Sequence, residues 1–113
     1  MATPAKTPQA GPVIVTIYSV DNAIVVDPPK FVVSKKHKEE VQWHCGLKHT
    51  THNSNGCFRA HFDQDSPFTR SEFRKHKELT GPSKETAVIG KEYKYTVEIE
   101  GYPPLDPIAV VKA

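Results

Sequence analysis

The run Tyr93-Lys-Tyr-Thr-Val-Glu-Ile-Glu100 and the return Asp106-Pro-Ile-Ala-Val-Val111 decide the fold. Tyr93, Tyr95, Val97 and Ile99 alternate with Lys94, Thr96, Glu98 and Glu100, the period-two signature of a strand with one apolar and one polar face. Gly101-Tyr-Pro-Pro-Leu-Asp106 turns the chain, and a β-branched run closes a hairpin.

Outward from that hairpin, the same signature recurs in short blocks. Val13–Val20 reads as a strand, Asp21-Asn22 as a turn pair, and Ala23–Val26 as a second strand or a bent continuation. Asp27-Pro-Pro29 stops it, because proline cannot donate to a ladder and restricts the residue before it. Phe31–Val33 and Val41–Cys45 are extended, with the charged turn 34–40 between them. Gly46–Gly56 is polar, rich in His, Thr and Asn, and reads as a loop. Cys57–Phe62 alternates again, with Phe58, Ala60 and Phe62 on one side. Phe68–Leu79 has room for one short helix near 70–78, and Lys84–Ile89 reads as a further strand. Seven or eight short strands with turn signals every eight to twelve residues predict an all-β, antiparallel two-sheet sandwich.

At 113 residues there is room for one domain and one core. Residues 1–12 are small, Pro-rich and polar, and read as a flexible tail before a domain at 13–113. Fifteen Lys and Arg face 13 Asp and Glu, for a formal charge of +2. The two signs are interleaved, as in Lys35-Lys-His-Lys-Glu-Glu40, so nucleic acid is a poor match. No stretch is long and apolar enough to cross a bilayer, and the first residues lack the apolar core of a secretory signal. A cytoplasmic location follows if that N-terminus is native. Two cysteines are too few for a disulfide scaffold.

The order Phe31-Val-Val33, a charged turn, Val41-Gln-Trp43, Ser66-Pro-Phe68, Tyr93-Lys-Tyr-Thr-Val97 and Leu105-Asp-Pro-Ile108 resembles the cupredoxin-like β-sandwich superfamily. Within it, the likeness is to small uncharacterised bacterial domains ending in a Tyr-x-Tyr-x-Val … Asp-Pro hairpin, and it spans residues 13–112. The turn at 35–40 departs from that pattern, because it carries charges and His37 where such domains usually have a glycine. The resemblance implies a Greek-key sandwich, immunoglobulin-like in architecture. In redox-active members it also implies a copper site with Cys, His and often Met on the last hairpin, donors that set copper geometry and potential. Here Val97–Asp106 contains none of the three, and the single methionine is Met1. A blue-copper carrier is therefore not expected.

One cluster has ligand chemistry: Cys45, His49, His52 and Cys57, with His44 alongside. Two thiolates and two imidazoles suit tetrahedral zinc, although the spacing departs from paired tight turns. Solvated loop histidines account for the same residues. The two cysteines could instead form a disulfide, worth about 3 kcal/mol for such a loop if unstrained. Face parity argues against it. Cys45 shares the inward face of Val41 and Trp43, whereas Cys57 falls opposite Phe58, Ala60 and Phe62, so a buried Cys45 thiol is expected instead.

Trp43 is the expected centre of the core. Tyr102 stands in a Pro-rich turn, exposed for contact or packed over Pro103 and Pro104. Asp63, Asp65 and Ser66 resemble a weak cation site or a turn capped by carboxylates. The basic run Arg70–Lys77 reads as a solvated face. No phosphate loop, nucleophile elbow or His-Glu-x-x-His helix is present. The sequence thus predicts a non-enzymatic binding or assembly module without a resident cofactor. Its contacts lie on the loops 46–56 and 101–106, with His44, Arg59, His61 and Tyr102 as candidate residues. Its partner is an unidentified protein or a second copy, met through a sheet edge or the N-terminal tail. The competing readings are a zinc or copper protein using Cys45, His49, His52 and Cys57, and a redox sensor acting through Cys57.

Overall fold

The computed structural model describes residues 11–47 and 57–113. They form ten strands: β1 (Val13–Val20), β2 (Ala23–Asp27), β3 (Lys30–Ser34), β4 (Val41–Cys45) and β5 (Arg59–His61) come first. Then follow β6 (Glu72–Phe73), β7 (Glu78–Leu79), β8 (Glu92–Lys94), β9 (Thr96–Glu98) and β10 (Ile108–Lys112). The fold is all-β, with no helix among the described residues. Three sheets have the orders β2-β1-β4-β7, β3-β10-β8 and β6-β5-β9.

The closing hairpin forms as its alternation predicts. Tyr93 pairs with Ala109 and Lys94 with Ile108. The same register continues through Tyr95 N–H to Pro107 O at 3.1 Å and the Val97–Leu105 bridge. Tyr93, Tyr95 and Val97 are buried, while Lys94 is exposed and Thr96 and Glu98 are half-covered. The run is divided at Tyr95, so that β8 belongs to one sheet and β9 to another. One continuous stretch therefore ties two sheets together.

The first hairpin has a two-residue turn. Val20 pairs with Ala23. Asp21 and Asn22 between them take φ of 51° and 63°, the doubly left-handed turn whose twist suits a hairpin and which Asp and Asn tolerate. In the 34–40 turn, Lys38 adopts φ of 54° where a glycine would be the easier choice. Glu39 and the buried Ser34 tie that turn: Ser34 N–H donates to Glu39 Oε1 at 2.7 Å, and Ser34 Oγ donates to Ala113 O at 2.9 Å.

The sheets are not purely antiparallel. β1 runs parallel to β4, with Val15 beside Trp43 and Ile17 beside Cys45. β3 runs parallel to β10, with Phe31 beside Ala109. Parallel neighbours need a long connection, and β2, β3 and the charged turn supply it between β1 and β4.

Two expected elements are corrected. Phe68–Leu79 holds the short strands β6 and β7 around a turn, not a helix near 70–78. Phe73 is drawn into the core opposite Ala60. Glu78 Oε1 accepts the backbone N–H groups of Arg74 and Lys75 at 2.7 and 2.9 Å, which closes the turn. Lys84–Ile89 is a turn rather than a strand. Ala87 N–H bonds back to Lys84 O at 3.0 Å, Ala87 is buried, and Val88 and Ile89 are exposed.

Trp43 does stand at the centre. Its ring lies 5.5 to 5.9 Å from those of Phe31, Phe73 and Tyr95, residues of the other two sheets and of the break between β8 and β9. Phe62 and Phe68 extend the cluster. Rings of this size each bury roughly 150–250 Å² and give the core most of its apolar area.

Candidate functional site

The side chains with ligand or redox chemistry gather where β4 ends. Cys45 is the last residue of β4 and is buried. Its N–H donates to His76 Nδ1 at 2.9 Å. Cys57 re-enters just before β5 and is held by its N–H to Arg74 O at 3.1 Å. Both cysteines are therefore fastened to the same short segment, residues 74–76.

The two thiols share a hydrogen bond, and Cys57 is pushed up to about 12, first by burial and then by the neighbouring Cys45. This corrects the expectation that their sulfurs look in different directions. Cys57 lies outside the regular strand, so the alternation of Phe58, Ala60 and Phe62 does not govern where it points. No disulfide joins the pair.

Gly46 secures the end of β4. Its N–H donates to Ile17 O at 2.8 Å. A Cβ there would meet Thr16 Cγ2 at 3.1 Å and Tyr18 Cβ at 3.2 Å, so only glycine lets the backbone approach β1 without a shift. His44 precedes Cys45 on the opposite, outer face of β4. Its Nε2 lies 2.8 Å from Gln42 Oε1, and its ring meets that of His76 edge-on at 5.4 Å. His76 is the residue that sequence reasoning missed. It sits inside a basic run with no local periodicity, and only the chain's return to β4 gives it a role.

Of the four proposed metal donors, Cys45 and Cys57 are brought together. His49 and His52 lie outside the described residues. Among the described residues, no three His, Cys, Asp or Glu side chains converge as a metal would need.

Arg59 and His61 belong to a second cluster, on β5. His61 is buried, with Nδ1 at 2.6 Å from Asp63 Oδ1 and Nε2 at 2.6 Å from Glu98 Oε2. Carboxylates only accept, so each of these bonds needs a ring N–H. Arg59 Nη1 lies 3.2 Å from the same Glu98 oxygen, and its Nε lies 3.2 Å from Glu72. Glu72 in turn meets Arg74, and Glu78 meets Arg70. Arg74, ahead of Arg59, holds the Glu72 carboxyl below its ordinary range. The two arginines of the basic run 70–77 are thus ion-paired. Arg59 and His61 serve a charge network in which both ring nitrogens of His61 and Nη1 of Arg59 are engaged, while Arg59 Nε makes only the ion-pair approach to Glu72 and no hydrogen bond.

Tyr102 packs partly against the core, with its hydroxyl 3.4 Å from Ser19 Oγ. Asp65 is taken by Lys84 at 2.9 Å and Lys91 at 3.3 Å, which hold its carboxyl below the usual range. Asp63 and Asp65 therefore face His61 and lysines rather than a shared cation. A cleft of about 260 Å³ between Asp63, Asp65, Lys91, Lys94 and Asp106 is open and carries both charge signs.

No protein family, curated protein or solved structure matches this chain.

Proposed function

We propose that the chain is a non-enzymatic binding or assembly module on a two-sheet Greek-key frame of the cupredoxin-like, immunoglobulin-like kind, without a copper centre in its final turn. The frame reading is supported by the way Trp43 of β4 packs onto Phe31 of β3, Phe73 of β6 and Tyr95 at the break between β8 and β9. The absence of Cys, His and Met from Val97–Asp106 supports the copper-free part of it. The observation that carries the functional reading is the gathering of His44, His76, Cys45 and Cys57 at one end, at the two roots of segment 46–56. Contacts offered by one end of a rigid sheet frame are the usual arrangement for recognition. The occupant would be a protein partner or a second copy of the chain.

The test compares the intact protein with its His44→Ala variant, both folded, in capture from an extract of the source cells and in sizing across concentrations. A partner or a self-associated species lost with His44→Ala supports the reading. An unchanged partner set and size contradicts the placement of the working end.

A second reading, a zinc- or copper-handling protein, is favoured by the shared hydrogen bond of the two thiols. Cys45 and Cys57 would supply the sulfurs, and His49 and His52 of the intervening segment the nitrogens. Metal analysis of protein purified without chelator decides it. Stoichiometric metal that disappears with Cys57→Ser supports it, and metal-free protein sinks it.

A further inference from the structure

We propose that Cys45 and Cys57 are a redox pair, closing to an intramolecular disulfide in exchange with a small-molecule disulfide, and that this bond fastens the two ends of segment 46–56. The inference goes beyond the binding-module reading and does not depend on it.

Three features of placement carry it. The sulfurs are already in hydrogen-bond contact. Each backbone is held: Cys45 by the β4 ladder beside Ile17 and by His76 Nδ1, and Cys57 by Arg74 O of the same 74–76 segment. The flanking rings are locked as well, with Trp43 and Phe58 6.5 Å apart inside the core. A second thiol held in this way attacks a mixed disulfide on the first far faster than a separate thiol would, because the encounter is already made.

The pair is also asymmetric. Cys45 is buried and Cys57 is half-buried, so an incoming reagent meets Cys57 first. The fraction of Cys57 present as thiolate, which burial keeps small at neutral pH, attacks one sulfur of the small disulfide, so the exchange is slow and quickens as pH rises. A mixed disulfide forms and one small thiol leaves. The Cys45 sulfur, giving up its proton, then attacks Cys57 Sγ and expels the second small thiol. The Sγ–Sγ bond forms and two S–H bonds are lost. The small disulfide takes both electrons and both protons and becomes two thiols. Because the second nucleophile is already in contact, the mixed adduct does not accumulate.

The ring closed by this bond runs from Cys45 through Cys57 and contains His49 and His52. Oxidation therefore joins covalently the two points from which that segment departs. It also removes both thiolates from any metal, so the two states present this end differently.

The experiment equilibrates the full chain in a glutathione redox buffer containing a chelator, starting once from reduced and once from oxidised protein. Samples are quenched, denatured, alkylated and weighed. The proposal expects both starting points to converge on a chain that takes up no alkylating groups and carries no glutathione. Digestion should then give a peptide joining Cys45 to Cys57. In Cys57→Ser, Cys45 should remain alkylatable or carry glutathione, and never reach the bridged mass. Two alkylatable thiols at equilibrium would overturn the proposal, and so would a stable glutathione adduct on the wild-type chain. The chelator keeps metal from shielding the sulfurs, so failure here leaves the metal and partner readings to their own tests.

Discussion

Single residues decide how this core tolerates its polar atoms. Tyr95 is fully buried, and its hydroxyl has no hydrogen-bond partner among the described residues. Burial pushes its ionisation well above the ordinary tyrosine range. Removing an unsatisfied buried hydroxyl while keeping the ring should help the fold, so Tyr95→Phe is expected to raise stability by about 1 kcal/mol. A denaturation midpoint that falls would mean that the hydroxyl has a partner. Gly46 makes the opposite case. Gly46→Ala places a methyl group 3.1 and 3.2 Å from carbon atoms of Thr16 and Tyr18, and should cost about 1–3 kcal/mol through the shift it forces between β4 and β1. An alanine variant as stable as the parent would show that the two strands are not so closely apposed. At this scale the sequence was legible for Trp43 and misleading for Cys57, whose sulfur the parity rule turned away from Cys45. Trp43 lies inside a strand whose period fixes its face, whereas Cys57 lies two residues before β5 begins, beyond the reach of that rule.

Among the elements, β5 and its neighbours depend on charges that pair across strands. The ion pairs of Arg59, Arg70 and Arg74 are exposed and contribute little each, on the order of 0–1 kcal/mol. The two bonds of the buried His61 matter more. Because the Asp63 side chain is largely exposed and that of Glu98 nearly half exposed, His61→Ala is expected to cost about 2 kcal/mol rather than the full value of two hydrogen bonds to carboxylates. A loss below measurement error in urea unfolding would reduce His61 to a space filler.

Glu78 gives this region a pH dependence. Burial alone would push its carboxyl up, but the Arg70 guanidinium and the N–H groups of Arg74 and Lys75 outweigh it, and the net shift is below the ordinary 4.5. A group lowered in the folded chain contributes its stability above 4.5 and loses it as pH falls through the folded value. Stability should therefore decline on acidification below about 4.5, and Glu78→Gln should make that decline shallower. An acid limb of unchanged slope in the variant would contradict the assignment. The helix expected near 70–78 fails at this scale for a physical reason. A short charged run has weak periodicity of its own, and burial of Phe73 opposite Ala60 overrides whatever local preference it has.

For the whole molecule, alternation in Tyr93–Glu100 was enough to announce an all-β chain and its closing hairpin. It was not enough to give the parallel pairings of β1 with β4 and of β3 with β10, because a strand's period does not say which way its neighbour runs. The candidate site was half legible for the same reason. Its cysteines and His44 stand out as residue types, but their meeting with His76 depends on how the 74–77 turn returns to β4. The account therefore rests on one spatial claim, that Cys45 and Cys57 are side by side in the reduced chain. A nuclear Overhauser measurement on the reduced, isotopically labelled protein reads it most directly. The account predicts a strong cross-peak between the β-protons of Cys45 and those of Cys57. Well-resolved β-proton signals for both residues with no cross-peak between them would contradict it.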